Sequence, residues 1–397
     1  MNFSVSENVK RMHPSATIAA MQAANELRSQ GADVIDLSIG EPDFDTPEHI
    51  KRYAVTALNA GITKYTPTAG LKSLQTSIIN FYEREFGTSY KPSNVMATSG
   101  GKQAIYNAVV ASVNPGDDVL LHTPYWVSFP EIVNFTGANV VAIDTEETDF
   151  ILTAEQVKNS ITPKTKLIIV NSPGNPSGRV IPSNEFRKIV EVCAERGVLI
   201  ISDECYLKFV YPPAEVFSTA TLPRELQDFV CIAGTFSKTF AMTGWRVGYT
   251  IANENWTKAM AKLQSHSTSH PTSFAQQACA EALNNWDETN AALQEMLAEY
   301  TKRRAYLVEA LRETCDLKCA EPEGAFYAFP NLRGCLNDKI KTSADFCDKL
   351  LKEKHVVITD GEGFGANGFA RISYAASMER LQEAIERIRQ LIEETKK

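Results

Sequence analysis

Between residues 95 and 251 the chain alternates short apolar runs with segments in which apolar residues recur every three to four positions. The segment from Lys102 onward and Asn184–Glu195 have the 3.6-residue spacing of amphipathic helices. This alternation is typical of an α/β domain, a mainly parallel mixed sheet flanked by helices. The apolar runs predict β-strands at Val95–Ala97, Asp118–His122, Val140–Ile143, Lys166–Val170, Val198–Ser202, Val230–Ala233 and Val247–Ile251.

The pattern changes after about residue 290, where helical segments surround short apolar runs. This change predicts a smaller α+β domain, and the helix at Ser15–Gln30 and the loop at Gly40 are expected to pack against it. We therefore expect a large domain at 46–289 and a small domain built from both termini, 1–45 and 290–397. The predicted helices of the second part are Ala292–Thr314, Ser343–Lys354 and Met378–Thr395, and its strands are Phe326–Phe329, Val356–Ile358 and Phe369–Ser373.

Composition narrows the class of protein. The 397 residues, 44% hydrophobic, are enough for one large core and a smaller one. A net charge of −8 argues against a nucleic-acid partner. There is no signal-like N-terminus and no apolar run of membrane-spanning length, so we expect no membrane partner. The eight cysteines are scattered, which favours reduced thiols in a cytoplasmic protein and no metal site.

Four of the predicted strands end in turns rich in polar and small residues. In an open α/β sheet, ligands bind at the carboxyl ends of the strands. We therefore expect these turns to converge on one crevice. They are Thr98-Ser99-Gly100-Gly101-Lys102, Asn171-Ser172-Pro173-Gly174-Asn175-Pro176, Asp203-Glu204-Cys205-Tyr206 and Thr235-Phe236-Ser237-Lys238.

The residues in these turns meet the chemical needs of pyridoxal 5'-phosphate (PLP). PLP needs a lysine for a Schiff base, an anion for the pyridine nitrogen, and donors for the ring oxygen and the phosphate. Lysine suits the first role because burial and nearby cations lower its pKa. Gly100-Gly101 at a helix start presents backbone N–H groups to a phosphate. Thr235, Ser237 and Arg246 can complete that phosphate site.

Three segments together resemble the hallmarks of one family, the class I, fold-type I PLP-dependent aminotransferases. They are Asn175-Pro176, Asp203-Glu204-Cys205-Tyr206, and the run from Ser237-Lys238-Thr239 through Gly244-Trp245-Arg246-Val247-Gly248, in the family's order and spacing. The resemblance extends over nearly the whole chain. Thr235 is a departure, since Gly or Ser is commoner there, but its hydroxyl can still serve the phosphate.

The resemblance implies a role for each cofactor-binding residue. Lys238 carries the cofactor as a Schiff base and acts as the catalytic acid and base. Asp203 pairs with the pyridine nitrogen. Asn175 and Tyr206 bind the ring oxygen, and Trp126, in Thr123-Pro124-Tyr125-Trp126, stacks on the ring.

It also implies the substrate contacts and the assembly. Arg371 grips the substrate α-carboxylate, and the backbone at Gly40 lines the same pocket. Tyr65, in Lys64-Tyr65-Thr66, reaches the phosphate of a neighbouring subunit, which implies a homodimer with shared active sites.

Within the family, the chain resembles the bacterial aspartate aminotransferase branch most closely. The resemblance lies in Pro14-Ser15-Ala16-Thr17, in Gly40-Glu41-Pro42-Asp43-Phe44-Asp45-Thr46-Pro47 and in Gly100-Gly101-Lys102-Gln103. It implies that Lys102, assisted by Ser15, faces a substrate side-chain carboxylate. We therefore expect ping-pong transamination of aspartate or glutamate with 2-oxoglutarate or oxaloacetate.

Several alternatives remain open on the sequence alone. The enzyme could transaminate prephenate or a broad set of neutral and aromatic amino acids, or be a PLP-dependent carbon–sulfur β-lyase. A regulator built on this fold would need an added DNA-binding domain, for which we expect no room in the chain. An ordinary core aromatic is the alternative for Trp126, and an unengaged helix-start lysine is the alternative for Lys102. The bonds Thr123-Pro124 and Asn175-Pro176, at tight strand exits, are expected to be cis.

Overall fold

The computed structural model describes residues 3–13, 16–313 and 315–395. The strands in these ranges are β1 Ile35–Asp36, β2 Val95–Thr98, β3 Asp118–His122, β4 Asn139–Ile143, β5 Thr165–Asn171, β6 Leu199–Asp203, β7 Val230–Thr235, β8 Gly248–Ile251, β9 Tyr327–Ala328, β10 Val356–Val357, β11 Thr359–Asp360 and β12 Ala370–Ser373. The α-helices are α1 Glu7–Lys10, α2 Ala16–Ser29, α3 Glu48–Asn59, α4 Lys72–Phe86, α5 Gly101–Val110, α6 Ser128–Thr136, α7 Ala154–Ser160, α8 Ser183–Glu195, α9 Arg224–Gln227, α10 Glu254–Ser265, α11 Ser273–Asn284, α12 Trp286–Glu313, α13 Ser343–Lys354 and α14 Met378–Thr395.

Seven strands form one mixed sheet in the order β2-β8-β7-β6-β5-β3-β4. The neighbours from β7 to β4 are parallel, whereas β8 runs antiparallel to both β2 and β7. The predicted fold class, a mainly parallel mixed sheet flanked by helices, is therefore confirmed.

Alternate residues of the central strands pack on opposite faces of the sheet, as the two-residue period of a strand requires. Ile200 belongs to the core that contains Phe186 and Ile189 of α8. The next residue, Ile201, belongs to a second core with Ala104 and Ile105 of α5. Both faces are thus covered by helices, which explains why these strands are continuous apolar runs in the sequence.

The two ends of the chain meet in smaller sheets. Ile35 of β1 pairs in parallel with Val356 of β10, and β12 lies between β11 and β9 in an antiparallel sheet. The backbone N–H of Ser373 donates to the carbonyl of Leu37 at 2.8 Å. Residues 35–37 therefore pair with strands from the C-terminal part of the chain.

The longest helix, α12, begins earlier than the sequence predicts. It starts at Trp286 rather than Ala292, and one face of its first turn is buried. The Trp286 ring packs edge-on against Phe81 at 5.1 Å, and Thr289 is also buried. No helix in the described part of the chain is long and apolar enough to cross a bilayer.

Candidate active site

A cavity of about 450 Å³ lies at the carboxyl ends of β5, β6 and β7. The four polar turns converge there, as the sequence predicts. Of the site residues proposed from sequence, those that line this cavity are Gly40, Gly101, Lys102, Trp126, Asn175, Asp203, Tyr206, Thr235, Ser237, Lys238, Arg246 and Arg371.

Lys238 follows β7 and extends into this cavity. Burial is the largest effect on this amine and lowers its pKa. The Arg371 and Arg246 guanidiniums also lower the pKa, whereas Cys205 and Glu41 raise it. Its Nζ donates a hydrogen bond to the carbonyl of Gly40. A buried lysine with a lowered pKa provides a nucleophilic amine nearer neutral pH.

Asp203 is the last residue of β6 and is buried in the same cavity. Burial raises its pKa to about 7, although Oδ1 accepts a hydrogen bond from the Cys205 N–H at 3.1 Å. A carboxylate in this environment is stabilised by a nearby cation. A protonated pyridine nitrogen is such a cation, so Asp203 fits the predicted cofactor.

The phosphate-binding residues of the sequence prediction lie where α5 begins. A Cβ on Gly100, whose φ is +83°, would collide with the Arg246 guanidinium, so this glycine leaves space for the arginine without lining the cavity itself. Arg246 is held by its Nη1, which donates to the Thr243 carbonyl at 2.8 Å. The Thr235 hydroxyl lies 2.9 Å from that of Ser237. Hydroxyls, a guanidinium and a helix start together fit a phosphate group.

Arg371 lies in β12 on another side of the cavity and is only 3% exposed. Its Nη1 donates to Asn175 Oδ1 at 2.9 Å and its Nη2 to the Ser38 carbonyl at 2.6 Å. The guanidinium lies 4.6 Å from the ring centroid of Tyr327. Among the described residues its buried Nε has no hydrogen-bond partner. A fixed guanidinium with donor capacity left suits a carboxylate ligand.

Lys102 supplies a further cation to this cavity. Its Nζ lies 4.9 Å from the centroid of the Trp126 ring, within range of a cation–π interaction. Burial, followed by the Arg246 charge, lowers the pKa of Lys102. The Lys102 side chain thus contacts Trp126 in the cavity, and its role towards a substrate carboxylate stays a prediction. Trp126 lines the cavity and also packs edge-on against Phe129 at 5.5 Å.

Two residues missed by the sequence analysis support the predicted ones. The hydroxyl of Tyr327 lies 2.7 Å from that of Tyr206. Asn171 donates from Nδ2 to the Asp203 carbonyl at 3.1 Å, and its Oδ1 accepts from the Asn175 N–H at 2.8 Å. Asn171 could have been found, since it opens a polar turn, but Tyr327 lies in a short apolar run without such a signal.

Three further expectations concern the surroundings of the cavity. The bonds Thr123-Pro124 and Asn175-Pro176 are both cis, as predicted. Tyr65 does not line the cavity: its side chain is 94% exposed and its ring packs edge-on against His270 at 5.7 Å. Ser15, which was expected to assist Lys102, lies outside the described residues.

A buried lysine, a strand-end carboxylate and a phosphate site at the carboxyl edge of this sheet define the class of fold-type I PLP enzymes. The chain belongs to the family of class I and II aminotransferases, whose family model matches residues 32–388. The protein is thus an aminotransferase that uses pyridoxal 5'-phosphate.

Similar proteins extend over almost the whole chain. An aspartate aminotransferase of Geobacillus stearothermophilus is 41% identical over 98% of this chain and 99% of its own. A probable aspartate/prephenate aminotransferase of Aquifex aeolicus is 40% identical over 99% of this chain and 100% of its own. The structure of the Thermus thermophilus aspartate aminotransferase with maleate has a TM-score of 0.93 and 39% identity, and the match covers 98% of this chain and 100% of that one.

Proposed function

We propose that this aminotransferase exchanges amino groups between aspartate or glutamate and a 2-oxo acid such as 2-oxoglutarate or oxaloacetate. The observation that carries the proposal is the pair of cationic side chains, Lys102 and Arg371, that line one cavity. A dicarboxylic substrate has two anionic ends, and each needs a partner when it leaves water. The names of the relatives from Geobacillus and Thermus agree with this substrate class.

The residues around Lys238 divide the work of holding the cofactor. PLP bound at Lys238 supplies an electron sink and a carrier for the amino group. Asp203 keeps the pyridine nitrogen protonated, Asn175 and Tyr206 hydrogen-bond the ring oxygen, and Trp126 packs on the ring face. The phosphate would be bound by the N–H group of Gly101 and by the side chains of Thr235, Ser237 and Arg246, and Gly100 leaves space for that arginine.

The substrate is oriented by charge at both ends. Arg371 binds the α-carboxylate, the backbone at Gly40 borders it, and Lys102 faces the side-chain carboxylate. With its two carboxylates bound in this way, the substrate would have its Cα near the amine of Lys238, which lines the same cavity. With the cofactor bound, Lys238 Nζ would take the proton from that Cα and deliver it to the cofactor carbon that carries the nitrogen, and the second half-reaction would reverse both transfers.

The proposal is tested by following cofactor absorbance after mixing the holoenzyme with one amino acid at a time. Aspartate and glutamate are expected to convert the cofactor rapidly to its amine form, and alanine and phenylalanine slowly. Faster conversion by aromatic or neutral amino acids would refute the dicarboxylate assignment. Release of pyruvate and ammonia instead would identify a lyase.

Replacing Lys102 with alanine is expected to lower kcat/KM for aspartate by about 10- to 150-fold, since charged hydrogen bonds contribute about 1.5–3 kcal/mol. The loss for alanine as substrate is expected to stay within about threefold, since its side chain has no carboxylate to pair. Steady-state kinetics with both substrates measure the difference. Lys91→Ala, a change to an exposed lysine, is the control. Equal losses for both substrates would remove Lys102 from the specificity site.

A second candidate substrate is prephenate. The relative from Aquifex is named for both aspartate and prephenate. Prephenate is a dicarboxylate with a ring, and the cavity has the apolar side chains of Ile105, Trp126 and Val127 in its lining. Amino transfer to prephenate from glutamate or aspartate, measured by formation of the amino product, decides whether the activity extends to it.

We infer that the enzyme is a homodimer in which Tyr65 of each chain reaches the phosphate site of the other. Tyr65 is fully presented to solvent in the single chain, and the exposed Val55 and Leu58 of α3 offer apolar surface to bury. Sedimentation is expected to give twice the mass of one chain. Tyr65→Phe is expected to weaken PLP binding about fivefold to tenfold, the value of one hydrogen bond. Tyr53→Phe is the control, and equal affinities in all three proteins would contradict the shared site.

The two-domain division stays a proposal: a large domain at 46–289, and a small domain at 1–45 and 290–397. The pairing of β1 with β10 supports it, because it ties the N-terminal segment to the C-terminal part. A cytoplasmic location is also proposed. It is supported by the eight cysteines, which are scattered along the chain and mostly buried, as is common for reduced thiols.

A further inference from the structure

The loop from Ser38 to Asp45 connects β1 to α3 and borders the active-site cavity through Gly40. The position of Gly40 is tightly limited, since a Cβ built on it would lie 3.1 Å from the Tyr327 hydroxyl. Its carbonyl accepts from Lys238, and the Ser38 carbonyl accepts from Arg371. A small displacement of this loop would therefore alter the surroundings of both cationic side chains.

Three residues after Gly40, the loop is fixed to the long helix α12. Nη1 of Arg303 donates to both carboxylate oxygens of Asp43 at 2.8 Å, and the Tyr300 hydroxyl donates to Oδ1 at 3.0 Å. Arg303 is only 7% exposed, and its Nε also donates to Glu299 at 3.2 Å. The guanidinium lies 5.6 Å from the ring centroid of Phe44, the next loop residue. A paired guanidinium buried this well is held far more rigidly than an ion pair on the surface.

A second contact fixes the same loop on the cofactor side. The Thr243 hydroxyl donates to Glu41 Oε2 at 2.7 Å, and Thr243 lies three residues before Arg246. Gly40 therefore lies next to two carboxylates, Glu41 and Asp43, that are attached to different parts of the protein. The Asp43 contact is the more buried of the two and involves more hydrogen bonds.

We propose that Asp43 and Arg303 are positioning residues: their ion pair fixes the backbone at Gly40 in the geometry that the substrate requires. The inference rests on the proposed function, because it assigns the substrate to the cavity that Gly40 borders. Neither side chain lines that cavity. Both act through the loop, so their loss is expected to affect substrate binding more than cofactor binding.

The test compares Asp43→Asn with the wild-type holoenzyme. The variant keeps the shape of the side chain and removes its charge. We expect the KM for aspartate and the Kd for maleate, read from cofactor absorbance, to rise about tenfold, a typical cost of a misplaced binding group. The kcat is expected to stay within about threefold and the affinity for PLP to be unchanged. The Arg303→Lys variant is expected to bind maleate more tightly than the Arg303→Gln variant. The double variant with Asp43→Asn and Arg303→Gln is expected to have a maleate Kd no higher than the higher Kd of the two single variants, because both changes break the same ion pair.

Arg380→Gln is the matched control, because Arg380 binds both oxygens of Asp33 at 2.8 and 3.0 Å on the surface. It is expected to leave maleate binding unchanged. If Asp43→Asn lowers the melting temperature but leaves the KM and the maleate Kd at wild-type values, the pair is only structural and the inference is overturned. If the wild-type enzyme neither binds maleate nor converts aspartate, the proposed substrate is wrong. The same comparison with whichever amino acid it does convert then decides the role of the pair.

Discussion

Replacing Lys238 with alanine is expected to abolish transamination, with a loss of about 10⁴-fold or more, because a general acid–base alone contributes up to about 10⁴-fold. The variant removes both the attachment point of the cofactor and the group that moves the substrate proton. Single-turnover conversion of aspartate, followed by cofactor absorbance, measures the loss.

The fold is expected to survive this change. The side-chain hydrogen bond of Lys238 goes to the backbone carbonyl of Gly40, so removing the amine costs one hydrogen bond to a neutral group, a small part of the stability. The melting temperature and the sedimentation of Lys238→Ala should therefore match those of the exposed-lysine variant Lys262→Ala. If Lys238→Ala kept more than about a hundredth of the wild-type rate, Lys238 could not be the general acid and base of the reaction. Loss of the sole acid–base group would lower the rate further than that.

Replacing Asp203 with asparagine is expected to lower the transamination rate by about 10²- to 10³-fold, the usual cost of losing a charge-stabilising group. Asparagine cannot keep the pyridine nitrogen protonated, so the bound cofactor becomes a weaker electron sink. Asp203→Glu is the comparison that retains the charge in a longer side chain. Stopped-flow measurement of the half-reaction separates this loss from weaker substrate binding.

The same substitution is expected to stabilise the cofactor-free protein at pH 8. Burial raises the pKa of Asp203 from 3.8 to about 7, so between these values the folded chain holds a proton that the unfolded chain releases. Stability therefore falls as pH rises through this window, by roughly 4 kcal/mol if the full difference is expressed. We expect Asp203→Asn to recover about 1–3 kcal/mol of this at pH 8 and nothing at pH 4. Urea unfolding of the apoprotein at pH 8 and pH 4 measures this difference in the free energy of unfolding. If Asp203→Asn were less stable than the wild type at pH 8, the expected direction of the effect would be wrong.

Much of the fold could be predicted because the central strands carry strong local signals. For β3 the sequence predicts the observed bounds, Asp118–His122, because an apolar run there is flanked by polar turn residues. The structure shows that all five residues of this strand are buried. The smaller sheets gave weaker signals. β9 spans only Tyr327–Ala328 because its pairing with β12 ends there, and no local pattern records where a partner strand ends.

The site could be predicted where function requires unusual residues next to a strand. Lys238, Asp203 and Asn175 each follow an apolar run that ends abruptly, and the topology of the sheet then brings them together. The contact between Asp43 and Arg303 could not be predicted, since the two lie far apart in sequence and each resembles an ordinary surface residue. Only the packing of α12 against the loop pairs them.

The antiparallel position of β8 also determines when the phosphate site can form during folding. β8 pairs with β2 on one side and β7 on the other, and the first of these pairings joins Val95 to Ile251. Such long-range pairing closes a large loop and is slow. The chain loses conformational entropy on closing the loop before the contacts between the strands stabilise it. Arg246 meets Gly100 only once this closure is complete. A chain that stops before β8 has unpaired strand edges at β2 and β7 and no phosphate site, so PLP binding requires that β8 has closed the large sheet.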